Sequence, residues 1–300
     1  MIYQIYPKSF HSHQGQATGD LLGVVDKLDY LHWLGVDCLW ITPFLRSPQR
    51  DNGYDISDYY AIDPSYGSMA DCELLIAEAG KRGIKLMLDI VVNHTSIEHE
   101  WFQQARSSLD NPYRDFYIWR DQPNNWESKF GGSAWEYEAQ TGQYYLHLFD
   151  HTQADLNWDN PEVREDFLKV MNTIVPRFDV VLLDTGAGIS DVVLFSISLA
   201  SEVLIVATPE PTSLTDAYAT IKVLAMQQKR QHVRMVINQA ARPGDGRAIT
   251  SQLQQVLDRF VSTESGRPMR LIHMGDIPAD PSVRDAVMRR QLLLLQTPGC

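Results

Sequence analysis

The chain of 300 residues has only three cysteines, Cys38, Cys72 and Cys300. An odd number at such wide spacing makes neither a disulfide framework nor a zinc pattern, so a reducing cytoplasm is the expected compartment. The opening residues Met1–Pro7 lack the basic and apolar regions of a secretory signal. No long apolar run is present either. The most apolar stretch, Val192–Ala207, is broken by Ser196, Ser198, Ser201 and Glu202, and no membrane partner is expected. Basic clusters are also missing: 26 Lys and Arg stand against 38 Asp and Glu, a formal charge of −12. Such a chain has little to neutralise phosphates with, and no nucleic-acid partner is expected.

What is present is globular in composition, with 44% hydrophobic and 21% charged residues. At roughly 150 residues per domain the length suits one large domain or two modest ones. Strands and helices alternate through most of it. Strands are expected at Ile2–Tyr6, Asp37–Ile41, Lys85–Val92, Phe178–Leu183, Val203–Ala207, Val233–Asn238 and near Met269–His273. Helices are expected at Leu21–Leu34, Met69–Arg82, Pro161–Val175, Ile189–Ala200, Ser213–Lys229, Ala248–Phe260 and Pro281–Leu294. The pattern predicts an α/β fold with parallel pairing. Between Ser96 and Asp150 the alternation gives way to Trp, Tyr, Phe, Asn and Gly, the texture of a small inserted domain or functional loop.

The two halves differ in composition. All seven Trp lie at or before Trp158, and beyond Phe178 the only Tyr is Tyr218. The change falls between Met171 and Asp179.

Four clusters carry chemistry in the first half: Asp51–Asp55, Asp89–His94, Phe130–Trp135 and Gln153–Trp158. Asn93 and His94 leave the carboxyl end of an apolar strand, the usual active-site mouth of a parallel sheet. Aromatic rings beside carboxylates suit a sugar, whose apolar face stacks while its hydroxyls meet the acids. Singly, each cluster reads as ordinary loop or capping chemistry. Together with Tyr3–Phe10, Asn124–Trp126 and Lys129–Trp135, they closely resemble the α-amylase superfamily, in its oligo-1,6-glucosidase and trehalose-6-phosphate hydrolase branch. The likeness runs from Ile2 to about Met171.

That resemblance implies a (β/α)8 barrel with a small domain inserted after the third strand. It implies that Asp51, Tyr54 and His94 line a glucosyl pocket with Asp89 and Asn93 beside it. An α-glucoside or sugar phosphate is the implied ligand, and no cofactor is required. Relatives often carry an Asp- and Asn-rich metal loop where this chain has His11–Ala17, with only Asp20 acidic nearby, so no metal is expected. Retaining glycosidases need a nucleophile and an acid/base carboxyl. Asp184 falls at the family's nucleophile position, but Leu182 replaces the Arg that would partner a carboxylate near Asp89. Neither the acid/base Glu segment nor the third Asp segment follows.

From about Phe178 the chain instead resembles the C-terminal part of a MinD/ParA-type P-loop ATPase, in its flagellar-number regulator branch. The residues that carry this are Asp184–Ser190, Thr208–Tyr218 and Met274–Asp280. The resemblance implies that Asp184 serves a magnesium shell or a nucleophilic water. It also implies that Asn238 reads an adenine edge flanked by Ile277 and Pro278. No Gly-rich, Lys-bearing phosphate loop occurs in the chain, so Mg-ATP is a ligand only if this half is functional.

The expected molecule is thus a chimera, with half an α-amylase-type barrel over 1–175 and its insert at about 96–150. That half joins a partial parallel doubly wound sheet over 176–300. It is derived from an α-glucoside hydrolase and expected to be inactive. The alternative is a MinD-like interaction module. The open edges of each half favour self-association.

Overall fold

A computed structural model describes residues 1–185, 188–242 and 244–289. The chain divides into two compact units, Met1–Thr185 and Gly186–Cys300.

The first unit opens with β1 (Ile2–Ile5), α1 (Pro7–Phe10), α2 (Leu21–Asp26), α3 (Leu28–Trp33) and β2 (Cys38–Ile41). The antiparallel pair β3 (Leu45–Arg46) and β4 (Asp58–Ile62) follows, then α4 (Met69–Lys81) and β5 (Lys85–Asp89). Then come β6 (His94–Ser96), α5 (Glu100–Ser107), β7 (Trp119–Arg120), β8 (Trp135–Glu138) and β9 (Gln143–Leu146). β10 (Gln153–Asp155), α6 (Pro161–Ile174) and β11 (Val180–Leu182) complete the unit. Its main sheet is parallel in the order β1-β2-β5-β11. These four strands, alternating with helices, are part of a (β/α)8 barrel.

Local chemistry fixes the helix starts. Ser68 and Asp71 form a reciprocal capping box at α4, and Asn160 caps α6 with Pro161 in its first turn. The expected helix Leu21–Leu34 is two helices, because the turn tightens at Lys27, whose N–H reaches back to the Val24 carbonyl at 3.1 Å. Leu21, Val24, Leu28 and Leu31 are nonetheless buried on one face together with Leu39, Ile41, Leu86 and Leu88 of the strands. Each such side chain contributes about 1.5–3 kcal/mol.

The insert is more ordered than its composition suggests. It contains α5 and an antiparallel sheet in the order β7-β9-β8. Aromatic packing holds it: Phe102 meets Tyr117 edge-on at 5.0 Å and stacks on Trp119 at 5.7 Å, and the Arg114 guanidinium lies 3.4 Å from the Trp119 ring centroid. The antiparallel pair β6–β10 ties the end of this region back to the strand that follows Asp89.

The second unit contains α7 (Asp191–Leu199), β12 (Leu204–Ala207), α8 (Pro211–Met226), β13 (His232–Ala240) and α9 (Asp245–Leu257). A π-helical stretch, Asp258–Ser262, leads to α10 (Thr263–Ser265), β14 (Arg270–Pro278) and α11 (Pro281–Arg289). The expected continuation of the last helix over 290–294 lies outside the described residues. The sheet is parallel in the order β12-β13-β14. One side is buried through Val233, Met235 and Ile237 against Ile221, Leu224, Leu253 and Leu257 of α8 and α9. Leu204, Val206, Ile272 and Met274 remain exposed. This is what topology requires: right-handed crossovers that always advance in one direction put every connecting helix on the same face.

Candidate active site

The carboxyl ends of β1, β2, β5 and β11 supply the site. Asp89 closes β5 and is 3% exposed. Two neutral donors reach its Oδ2, the Trp40 Nε1–H at 3.3 Å and the Tyr54 hydroxyl at 3.2 Å. Burial pushes the Asp89 carboxyl above the usual range; these donors oppose the shift, and the charge of Asp184 adds to it. Asp184 follows β11, is exposed, and also adds to the upward shift of the Tyr54 phenol, which burial dominates.

Tyr54 sits in the turn after Asp51, where Asn52 and Gly53 both adopt positive φ, 50° and 98°. A Cβ on Gly53 would lie 2.3 Å from the Pro43 carbonyl oxygen, so only glycine passes here. The buried Asp55 shapes the same turn, accepting from the Ser47 hydroxyl at 2.7 Å and the Arg50 N–H at 3.0 Å. Asp51 accepts from Gln153 Nε2 at 2.8 Å, and its carboxyl is raised chiefly by burial.

His94 is buried, and desolvation lowers it to about 4, so it is neutral near pH 7. Its Nε2 lies 3.1 Å from the Tyr54 carbonyl oxygen, which assigns the proton to Nε2 and leaves Nδ1 as an acceptor facing Asn93 Nδ2 at 3.4 Å. Asn93 also donates to Asp155 Oδ1 at 2.7 Å. The other Asp155 oxygen accepts from the Leu148 N–H at 2.6 Å, and burial raises this carboxyl to about 7. Phe149 packs on the His94 ring at 5.2 Å.

Tyr54, Asp89, Asn93 and His94 therefore join one network, and Asp51 is tied to it through its carbonyl, which accepts the Tyr54 N–H at 2.9 Å. Trp40, Gln153 and Asp155 belong to it as well, although sequence reasoning does not single them out as pocket residues. For Gln153 and Asp155 the signal lay in the Gln153–Trp158 cluster; for Trp40 it was a polar-tipped aromatic one residue before the end of an apolar strand.

The remaining expected residues are in the second unit. Asn238 and Ile277 are register partners on β13 and β14, and Pro278 is the partner of Ala240. Asn238 uses its Oδ1 to accept the Gln239 N–H at 2.9 Å. They belong to the second unit, whereas Asp184 belongs to the first. Asp20 caps α2 through Gly23 N–H at 2.6 Å and also takes the Ser12 hydroxyl at 3.3 Å, and Asp26 pairs with His13 at 2.8 Å. Among the described residues no group of three or more His, Cys, Asp or Glu could hold a metal ion. No helix of the described residues is long and apolar enough to cross a membrane.

The family model described as the alpha amylase catalytic domain matches residues 4–198. The chain belongs to the α-amylase family. Among relatives of this α-amylase-family chain, the trehalose-6-phosphate hydrolase of Bacillus subtilis (strain 168) is 60% identical over 178 residues, covering 57% of this chain and 32% of that protein. The oligo-1,6-glucosidase of Parageobacillus thermoglucosidasius is 56% identical over 176 residues, covering 57% and 31%. The chain thus spans about a third of the length of the curated relatives it matches. The solved trehalose-6-phosphate hydrolase of Bacillus licheniformis superposes with a TM-score of 0.65 at 38% identity, over 89% of this chain and 55% of that one. An isomaltulose synthase from Erwinia rhapontici, solved with its natural substrate sucrose, gives 0.60 at 36% identity over 94% and 45%.

Proposed function

We propose that the first unit is the glucosyl-binding part of an α-glucoside hydrolase of the trehalose-6-phosphate or oligo-1,6-glucoside type, and that this chain does not hydrolyse its ligand. The observation that carries the reading is the network joining Asp51, Tyr54, Asp89, Asn93 and His94 at the carboxyl ends of the parallel strands. The Asn93 amide oxygen and the Asp51 carboxylate can accept hydrogen bonds from sugar hydroxyls, while buried His94, with both ring nitrogens engaged, holds Asn93 and the Tyr54 carbonyl in place. Asp184, at the nucleophile position, has no acid/base Glu to work with. A retaining mechanism needs both carboxyls, one to attack and one to protonate the leaving oxygen. No cofactor or metal enters this reading.

A second reading is supported by the register of β13 and β14, which sets Asn238 beside Ile277 at the carboxyl end of a parallel sheet. In this reading residues 176–300 derive from a MinD-like ATPase, the chain is a cytoplasmic chimera, and the second unit is an interaction module. Asp184, Asn238, Ile277 and Pro278 would face Mg-ATP only with a phosphate loop supplied from elsewhere, because the chain has none. Exposed Trp33 and Ile2 in the first unit, and Leu204 and Val206 in the second, favour self-association.

Separate calorimetric titrations with glucose, trehalose and Mg-ATP test both readings. Sugar binding lost in Asp51→Ala supports the first. Mg-ATP binding with no sugar binding would replace it by the second. Sedimentation over a concentration series tests association, and a monomer throughout would refute it.

A further inference from the structure

Asn93 immediately precedes β6, and Asp155 ends β10, the strand paired with it. Asn93 Nδ2 donates to Asp155 Oδ1 at 2.7 Å. The register partner of Asp155 is His94, whose Nδ1 lies 3.4 Å from the same Asn93 nitrogen. A primary amide carries its two hydrogens on nitrogen and its lone pairs on oxygen. Two acceptors, the Asp155 carboxylate and the His94 Nδ1, therefore claim the nitrogen end of Asn93 and turn its oxygen away from them.

The direction of this contact depends on a proton. Asp155 is buried, and its Oδ2 faces a donor that cannot turn, the Leu148 N–H at 2.6 Å. A proton on the carboxyl therefore sits on Oδ1 and donates toward Asn93, which must then accept. A half-turn of the amide does this, and it puts two hydrogens where an acceptor had stood. The His94 contact opposes the turn, but at 3.4 Å it is weaker than the 2.7 Å contact to Asp155. Burial pushes the Asp155 carboxyl up to about 7 against the pull of its two donors, and desolvation keeps His94 neutral down to about 4. Other titratable groups stand on the elements around β10. Tyr145 of β9 and Tyr117 beside Leu156 are held protonated by burial. Asp51 is reached through Gln153, and His147, Asp150 and His151 lie between β9 and β10.

We propose that Asp155 is a positioning residue whose protonation state selects which end of the Asn93 amide faces the ligand, the oxygen when Asp155 is ionised and the nitrogen when it is protonated. The effect on sugar binding rests on the glucosyl-binding reading above; the turn of the amide rests on the contacts among Asn93, His94, Leu148 and Asp155 alone. A sugar hydroxyl that donates to the Asn93 oxygen has to reverse its own hydrogen bond after the turn, so the ionised form binds sugar tighter.

Two measurements on the full chain test this between about pH 5.5 and 8.5: NMR of the Asn93 side-chain amide and the Asp155 carboxyl, and calorimetric titration with glucose. Both are repeated on Asp155→Asn, with circular dichroism as the folding check. The Asn93 Nδ2 hydrogens are expected to shift with the same midpoint as the Asp155 carboxyl, near 7. Glucose is expected to bind about tenfold tighter at the upper end of the range than at the lower. In Asp155→Asn both pH dependences are expected to vanish, whereas a merely structural loss lowers affinity equally at every pH. Asn93 resonances that stay fixed while Asp155 titrates overturn the proposal. So does an Asp155 carboxyl that does not titrate in this range, or a pH dependence of glucose binding that persists in Asp155→Asn. Linked Asn93 and Asp155 titrations with no glucose binding at any pH remove the glucosyl reading and leave the turn of the amide standing.

Discussion

Leu182 and Asp89 are register partners across the parallel β11–β5 pair, so an isobutyl group stands beside a buried carboxylate. Side chains of register partners project to the same side of a sheet. The carboxylate has two neutral donors, Trp40 and Tyr54, and its ionised form is disfavoured by burial. A buried charge without a counter-ion is costly, and the sequence offers a direct way to change that.

Leu182→Arg is expected to bring the Asp89 carboxyl down toward or below its ordinary range. Because folded Asp89 titrates above its unfolded value, its contribution to stability declines as pH rises through that raised value. The pH dependence should flatten in Leu182→Arg. Asp89→Asn should leave stability at pH 7 unchanged or raise it by about 1 kcal/mol, while weakening sugar binding. Denaturant titration and carboxyl NMR of the two variants check this. A large loss of stability in Asp89→Asn would mean the charge is better compensated than its two donors indicate.

The pair Asn93–Asp155 makes a second pH prediction. Asp155 titrates at about 7 in the folded chain against 3.8, so the folded state holds a proton that the unfolded state loses. Its contribution falls as pH rises from about 4 to 7. His94 and His99, lowered by burial to about 4 from 6.5, act oppositely: the unfolded state holds more protons, and stability rises with pH over 4 to 6.5. Asp155→Asn removes only the falling part. Its melting temperature should be lower overall, by the loss of the Leu148 N–H acceptor, about 1–3 kcal/mol, yet climb more steeply from pH 4 to 6.5. An unchanged slope would contradict the assignment.

Much of this site was legible in the sequence, because its residues sit at strand ends that periodicity locates. Asp89, Asn93 and His94 follow an apolar run that could only be a buried strand, and β5 ends at Asp89. The short strands were not legible. β6 and β10 have three residues each, too few for a period, and are held by Gln153 and Asp155 reaching Asp51 and Asn93. The helix α5 was hidden by the aromatic composition of its surroundings. Nor can periodicity separate barrel from doubly wound sheet near Val180–Leu182. A parallel strand flanked by helices looks alike in both, and only its pairing with β5 assigns it to the first unit.

Gly53→Ala tests whether the turn positions Asp51 and Tyr54. With φ at 98° and the Pro43 oxygen 2.3 Å from the new Cβ, the substitution should cost about 1–3 kcal/mol. Sugar binding should weaken more than the loss of folded protein accounts for. An alanine variant with full stability and affinity would show that the turn is not set by this contact.

For the second unit, Mg-ATP affinity is expected to be no better than about millimolar, near −4 kcal/mol, with no ATPase activity. Mg-ATP is still a dianion, and without a lysine and a cradle of N–H groups it meets net repulsion from a chain at −12. A micromolar constant abolished by Asn238→Ala would mean that the site is assembled, with a second chain supplying the loop.

A glucosyl pocket without hydrolysis predicts how the purified chain treats p-nitrophenyl α-glucoside, whose cleavage releases p-nitrophenol. The missing acid/base carboxyl removes several orders of magnitude in rate, so no release above the uncatalysed rate is predicted. Release that disappears in Asp184→Asn would contradict the claim and require another carboxyl of this chain to serve as the acid.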